Sequence, residues 1–167
     1  LYNLLKEVKN LKVELSIDSY GPMNDFLRKG SNWDEVSDNV FWFKEQGVNP
    51  SVHSVVSIYN VNMVHELISF CKTLELDHKY VMLDGPNWMM PRNLPDFAKQ
   101  ELIKEYENKH EPIYKLIVEE LKQEGDFNKF LDMDNKLNEI RKEHWAAYNE
   151  WLLSVLTNYN EGVNIKV

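Results

Sequence analysis

Ser16 and Asp18 stand two residues apart near the end of VELSIDSYGP (13–22), on the opposite side of the chain from Val13, Leu15 and Ile17. Ser57 and Asn60 hold a matching place at the end of VHSVVSIYN (52–60), and Met82 and Asp84 at the end of KYVMLDGP (79–86). Hydroxyl, carboxylate and amide groups thus collect at the C-terminal ends of three strand-like runs, which is where parallel α/β proteins bind their ligands. A carboxylate in that place can accept two bonds from a ribose diol. Ser57 and Asn60 suit an amine or a carboxylate, while Tyr59 and Met82 offer apolar surface to a ring. Buried without partners, each such group would cost about 2 kcal/mol or more, so the column faces either water or a ligand.

The same residues have plainer uses. Polar groups at strand ends cap the helices that follow; Asn62 is placed to do so, and Asn60 can. Glu14 with Asp84 offers a different chemistry, a carboxylate pair working as acid and base in a glycosidase-like cleft. His53 points into the column as a barrel residue or a site residue. His65, His78 and His110 read as surface positions, and His144 as a packed helix residue beside Trp145. HExxH, a cysteine pair and a Gly-rich phosphate loop are all missing. Cys71 is the sole cysteine and falls on the apolar face of a helical pattern, which reads as a small buried hydrophobe. It excludes an intrachain disulfide and a multi-cysteine zinc or iron–sulfur site built from this chain, and it fits a reducing, cytoplasmic setting.

The elements that would position the column come from periodicity. Leu1, Leu4, Leu5 and Val8 have helical spacing and lead into the first strand. Ser31 or Asn32 can cap a helix with Asp34 and Glu35 in its first turn, an apolar stripe of Val36, Val40 and Phe43, and Gly47 at its end. Asn49-Pro50 turns the chain into the second strand, with Val52, Val56 and Ile58 on one face and His53, Val55 and Ser57 on the other. The next helix carries Val64, Leu67, Ile68, Cys71 and Leu74 before the third strand. Crossovers of helical length make parallel neighbours. Three parallel strands alone leave open edges and a half-covered core, so residues 1–92 read as a segment of a larger α/β barrel or doubly wound sheet.

Residues 93–167 read as a helical extension. Phe97, Leu102, Ile103 and Tyr106 mark one inner face; Ile113, Leu116, Ile117 and Leu121 mark another, opened by Glu111-Pro112 and stopped by Gly125. Asp126 can cap a third helix. From Asp134 a single stripe of Leu137, Ile140, His144, Tyr148, Trp151 and Val155 runs to near Tyr159. The net charge of −8 has no basic cluster to offset it, which argues against nucleic acid as a partner. No apolar run is long enough to span a bilayer, and none reads as a signal peptide. FWF (41–43) and NWMMP (87–91) read as packing surfaces.

Taken in order, these stretches resemble the C-terminal part of a radical S-adenosylmethionine enzyme. VELSIDSYGPMNDFLRKGSNWDEVSDNVFWF is similar to the fourth strand and following helix of that superfamily, with Asp18 in the acid position and Arg28 and Gly30 in its "R.G" positions. VVSIYNVNMVHELISF resembles the fifth strand and helix, Ser57 replacing the usual first Asn while Asn60, Leu67 and Phe70 match. KYVMLDGPNWMMPRNLP is similar to the sixth strand. FLDMDNKLNEIRKEHWAAYNEWL resembles the final helix of the branch carrying a SPASM or twitch extension, with Asn138 for Asp and Arg141 kept.

The resemblance implies half of a partial (β/α)6 barrel: three parallel strands with crossover helices, followed by an all-helical C-terminal extension. It implies S-adenosylmethionine as cofactor, with Ser16 and Asp18 at its ribose or methionyl part, Ser57 and Asn60 on the ribose or adenosine side, Met82 to Asp84 near the adenine and Arg28 near the carboxylate. The family's [4Fe–4S] cluster sits on a CxxxCxxC loop, which this sequence lacks, so an upstream segment would have to supply it. The isolated chain is then expected to bind no metal and to have no radical activity. Substrate would be a small molecule or peptide in the full enzyme. As partner, a second copy of the chain or the missing barrel half is expected. The other expectation for function is a non-catalytic binding or assembly module that self-associates or pairs with a partner chain. No membrane partner is expected.

Overall fold

The computed structural model describes residues 11–162; the helical pattern at Leu1 to Val8 lies outside them. Three short strands, β1 (Glu14–Ser16), β2 (Ser51–Val56) and β3 (Asp77–Met82), form one parallel sheet in the order β1-β2-β3. Among the described residues seven α-helices accompany it: α1 (Pro22–Leu27), α2 (Trp33–Glu45), α3 (Val64–Thr73), α4 (Asp96–Tyr106), α5 (Pro112–Leu121), α6 (Phe127–Arg141) and α7 (Glu150–Asn160). The fold is therefore mixed α/β, as the alternating patterns predict.

Register sorts the strand residues into two faces. Glu14 pairs with Ser51 and Ser51 with Asp77, and Val56 pairs with Met82 at the other end. One face carries Leu15, Val52, Ser54, Val56, His78, Tyr80 and Met82. Its N-terminal half is sealed by Val40 of α2 and Leu67 and Cys71 of α3, in a small core that also takes Ile17 and Leu76. Its C-terminal half belongs to the larger core, where Val56, Ile58 and Tyr59 meet Leu102, Ile117, Phe130, Trp145 and Leu152. That core draws on residues from both sides of position 92. The opposite face carries Glu14, Ser16, His53, Val55, Lys79 and Val81. Among the described residues nothing seals it: Glu14, Ser16 and Lys79 are exposed and Val81 keeps 41% of its surface.

Local chemistry explains most boundaries. Asn32 caps α2 by accepting from the Glu35 amide, and Asp126 caps α6 by accepting from Lys129. Pro112 opens α5, whose Ile113, Ile117 and Leu121 are buried at four-residue spacing; Leu116, expected on that stripe, keeps 42% of its surface. Gly125 does not merely stop α5. A Cβ there would lie 2.0 Å from the Arg92 carbonyl oxygen, so only glycine lets the two backbones meet.

Three expectations change. A short helix, α1, follows Gly21-Pro22 where only a break was read. Asn62 does not cap α3; a 3-10 turn (Val61–Met63) precedes that helix, and the Asn62 side chain pairs with Asn149 instead. The long C-terminal stripe is two helices. α6 stops at Arg141, Lys142 adopts a left-handed conformation (φ 56°), and a 3-10 turn (Trp145–Ala147) leads to α7, capped by Asn149. Ile140, predicted on the inner stripe, is 80% exposed, and His144 is an exposed cap rather than a packed residue.

Candidate functional site

The parallel register brings the strand tips to one end, and Asp18 is the hub there. Two residues past Ser16, at the end of β1, its Oδ1 accepts from the Val55 amide (2.8 Å) and from Arg28 Nη2 (3.1 Å). Arg28 Nε stands 2.9 Å from Oδ2, completing a two-point ion pair that is partly open to solvent. The Asp18 backbone is held as well. Its amide donates to Asn24 Oδ1 (3.0 Å), and its carbonyl accepts from Asn60 Nδ2 (2.6 Å).

Asn60 is used up by this work. Its amide nitrogen also donates to the Val55 carbonyl (2.9 Å), while Oδ1 accepts from the amide (2.7 Å) and the hydroxyl (3.2 Å) of Ser57. Both donors and both lone pairs are thus spent inside the chain. The Ser57 hydroxyl in turn accepts from the Tyr59 amide (3.4 Å). Ser57 and Asn60 are also buried, at 4% and 1% exposure. They tie the end of β2 to the end of β1 and leave no free side-chain group for a ligand.

The other residues of the column are spread around this hub. Ser16 pairs with His53 and lies about 7 Å below Asp18 along the strand, exposed on the bare face. Met82 turns to the covered face and packs against the larger core. Asp84 is exposed beyond the end of β3. The structure therefore brings Asp18, Arg28, Ser57 and Asn60 together, sets Ser16 one pleat away, and parts Met82 and Asp84 from them.

The carboxylate pair fails on register. Glu14 is level with Ser51 and Asp77, whereas Asp84 lies beyond Met82, itself about 17 Å further along the sheet. An acid–base pair for glycoside hydrolysis needs its carboxyl groups within about 10 Å. Glu14 has a different neighbour, His53, whose Nδ1 is 3.7 Å away on the same open face. The bare face thus offers Glu14, Ser16, His53 and Lys79, with the Asp18–Arg28 pair at its upper rim.

No family model, curated protein or solved structure matches the chain. The site must be read from its own groups. Cys71 lies 2% exposed on the covered side, and burial pushes its thiol up to about 12. No three His, Cys, Asp or Glu side chains gather to hold a metal ion among the described residues. Among those residues, too, no helix is long and apolar enough to cross a membrane.

The sequence pointed to the tips but missed what organises them. Asn24, fully buried, orients the Asp18 backbone and donates to Ser31 Oγ (3.2 Å). Nothing in its local pattern marks it, since its partner lies across a turn. Lys79 is the further companion of Glu14 and Ser16 on that face, and only strand alternation combined with register places it there.

Proposed function

We propose that the chain is the C-terminal portion of a radical S-adenosylmethionine enzyme and that its bare sheet face is the distal wall of the cofactor pocket. The α/β segment would then be half of a partial (β/α)6 barrel, closed by strands on another segment, with residues 93–167 as a helical extension. One observation carries the reading: helices pack one face of a parallel sheet, while the other holds polar groups below the Asp18–Arg28 pair. Parallel sheets are ordinarily covered on both faces, so the polar one calls for a lining role.

The chain would supply a wall and no electrons. A single cysteine cannot ligate a [4Fe–4S] cluster, so the cluster and its CxxxCxxC loop belong to the complementary segment. In this reading Asp18, held by Arg28 and Val55, offers its remaining lone pairs to ribose hydroxyls, and Ser16 and Arg28 meet the methionyl end. Ser57 and Asn60 act at one remove, by fixing Asp18.

The test is titration of the isotopically labelled chain with millimolar S-adenosylmethionine, followed by amide NMR. Weak, saturable shifts are expected at Ser16, Asp18 and Val55, because half a pocket buries too little ligand for tight binding. Ser16→Ala, on an exposed site, should weaken the response without disturbing the fold. Shifts confined to the helix-covered side, or none at all, would overturn the assignment.

A second reading, an assembly module, is favoured by the two outer strands: among the described residues β1 and β3 each pair only with β2. Open edges next to a bare face invite a second copy. Light scattering separates the two, since this reading requires a dimer without any nucleoside ligand.

A further inference from the structure

Arg28, one half of the ion pair at the strand tips, is flanked in the chain by two residues that the end of α6 holds. Two positions before it, the Phe26 carbonyl accepts from Arg141 Nη2, and Arg141 Cζ lies 4.6 Å from the centre of the Phe26 ring. Directly after it, Lys29 Nζ donates to the Arg141 carbonyl (2.9 Å) and stands 3.2 Å from Glu143 Oε1. Glu143 Oε2 is in turn 3.5 Å from Arg141 Nη2. Residues 141–143 therefore grip the backbone on both sides of Arg28, across 112 and 115 residues of sequence.

The grip reaches Asp18 in short steps. The Arg28 amide donates to the Asn24 carbonyl (2.8 Å), and the Asn24 side chain accepts from the Asp18 amide (3.0 Å). Phe26 is fixed from its other side as well, its ring meeting Tyr59 at 5.5 Å and Tyr148 at 5.6 Å. With Phe26 and Lys29 both anchored, the backbone between them has little freedom, and the Arg28 side chain starts from a set point. Arg141 is a costly residue for holding α1 by packing alone. Its Nε is buried with no hydrogen-bond partner among the described residues, and an apolar side chain would fill the space without that penalty. Arginine supplies what an apolar residue cannot, a charged donor for the carbonyl and a cation for the ring.

We propose that Arg141 is a positioning residue for the Asp18–Arg28 pair, acting together with Lys29 through residues 26–29, so that the seating of the helical extension sets the candidate site. The identity of the ligand rests on the function proposed above; the positioning does not. Asp18 keeps its bond to the Val55 amide whether or not α6 is seated, because that bond lies within the sheet end. Release of residues 141–143 therefore frees Arg28 selectively.

The test compares the labelled intact chain with Arg141→Met and Arg141→Lys by hydrogen exchange at two reporters, the Arg28 Nε proton and the Val55 amide. Arg28 Nε is buried, so its exchange reads whether the side chain keeps its seat. Arg141→Met should speed that exchange about tenfold, the worth of one to two hydrogen bonds, with Val55 at the parent rate. Arg141→Lys, which keeps a charged donor, should recover part of the protection. Lys29→Met, at a side chain 55% exposed, should act in the same direction and keeps the test open if Arg141→Met fails to fold. Equal acceleration at both reporters, or none at Arg28, would overturn the proposal. Titration with S-adenosylmethionine is the separate arm. A parent chain without any response sinks the proposed function alone, whereas equal responses from parent and Arg141→Met sink the positioning role.

Discussion

Asp134 is 2% exposed, yet it meets three donors: Tyr59 Oη (2.6 Å), Trp145 Nε1 (2.6 Å) and Asn138 Nδ2 (2.9 Å). Tyr59 comes from the strand-bearing segment and Trp145 from the helical one, so this carboxylate is one of the links between them. Burial, and after it the neighbouring Asp134 carboxylate, raise the Tyr59 pKa far above its ordinary value, which keeps that hydroxyl a donor. Asp134→Ala strands two buried donors and should cost about 3 kcal/mol or more, read as a lower urea midpoint; Asp134→Asn, which keeps an acceptor, should cost less. His78 makes a different residue-scale prediction. Its folded pKa of about 4 lies below the ordinary 6.5, so between those values the unfolded chain binds a proton that the folded chain refuses. Stability from this group is complete above pH 6.5 and drains away as pH falls toward 4. His78→Phe should flatten the urea midpoint against pH over that window.

The break between α6 and α7 shows how elements escape a periodicity reading. Leu137, Ile140, His144, Tyr148, Trp151 and Val155 recur at helical spacing, but spacing says nothing of whether the backbone continues. Two cap-forming side chains interrupt it: His144 Nδ1 accepts from the Ala146 amide, and Asn149 Oδ1 accepts from Leu152 (2.9 Å). Asn149 also donates to the Tyr59 carbonyl (2.8 Å) and to Asn62 (2.8 Å), long-range bonds that no local pattern contains. Lys142 takes the left-handed turn between the helices and carries a Cβ where glycine is preferred. Lys142→Gly should therefore raise stability by about 0.5–1 kcal/mol, visible as a higher melting temperature. Where the capping side chain and the apolar run agreed, as at Asn32 and Asp126, the helix starts were readable in advance.

At the scale of the whole molecule, strand alternation and crossover length sufficed for a parallel three-strand sheet, because both follow from short-range geometry. The polar column was legible as a set of positions and misleading as a set of free groups. Ser57 and Asn60 look available in sequence, and only the docking of β2 against β1 reveals that their bonds close on the chain itself. The placement of His78 on the covered side was illegible for the converse reason. His78 read as surface, since the α5 helix that roofs it lies more than thirty residues away. The larger core, drawn from both segments, is what makes such distant pairings possible.

Of the five tryptophans, Trp145 alone is fully buried, and its indole N–H is anchored on a carboxylate rather than on water. That ring is a built-in optical gauge. Its emission should sit blue of the others and resist collisional quenchers such as acrylamide for as long as the C-terminal helices stay seated. Loss of that shielding before circular dichroism changes would time their departure from the sheet without any added label.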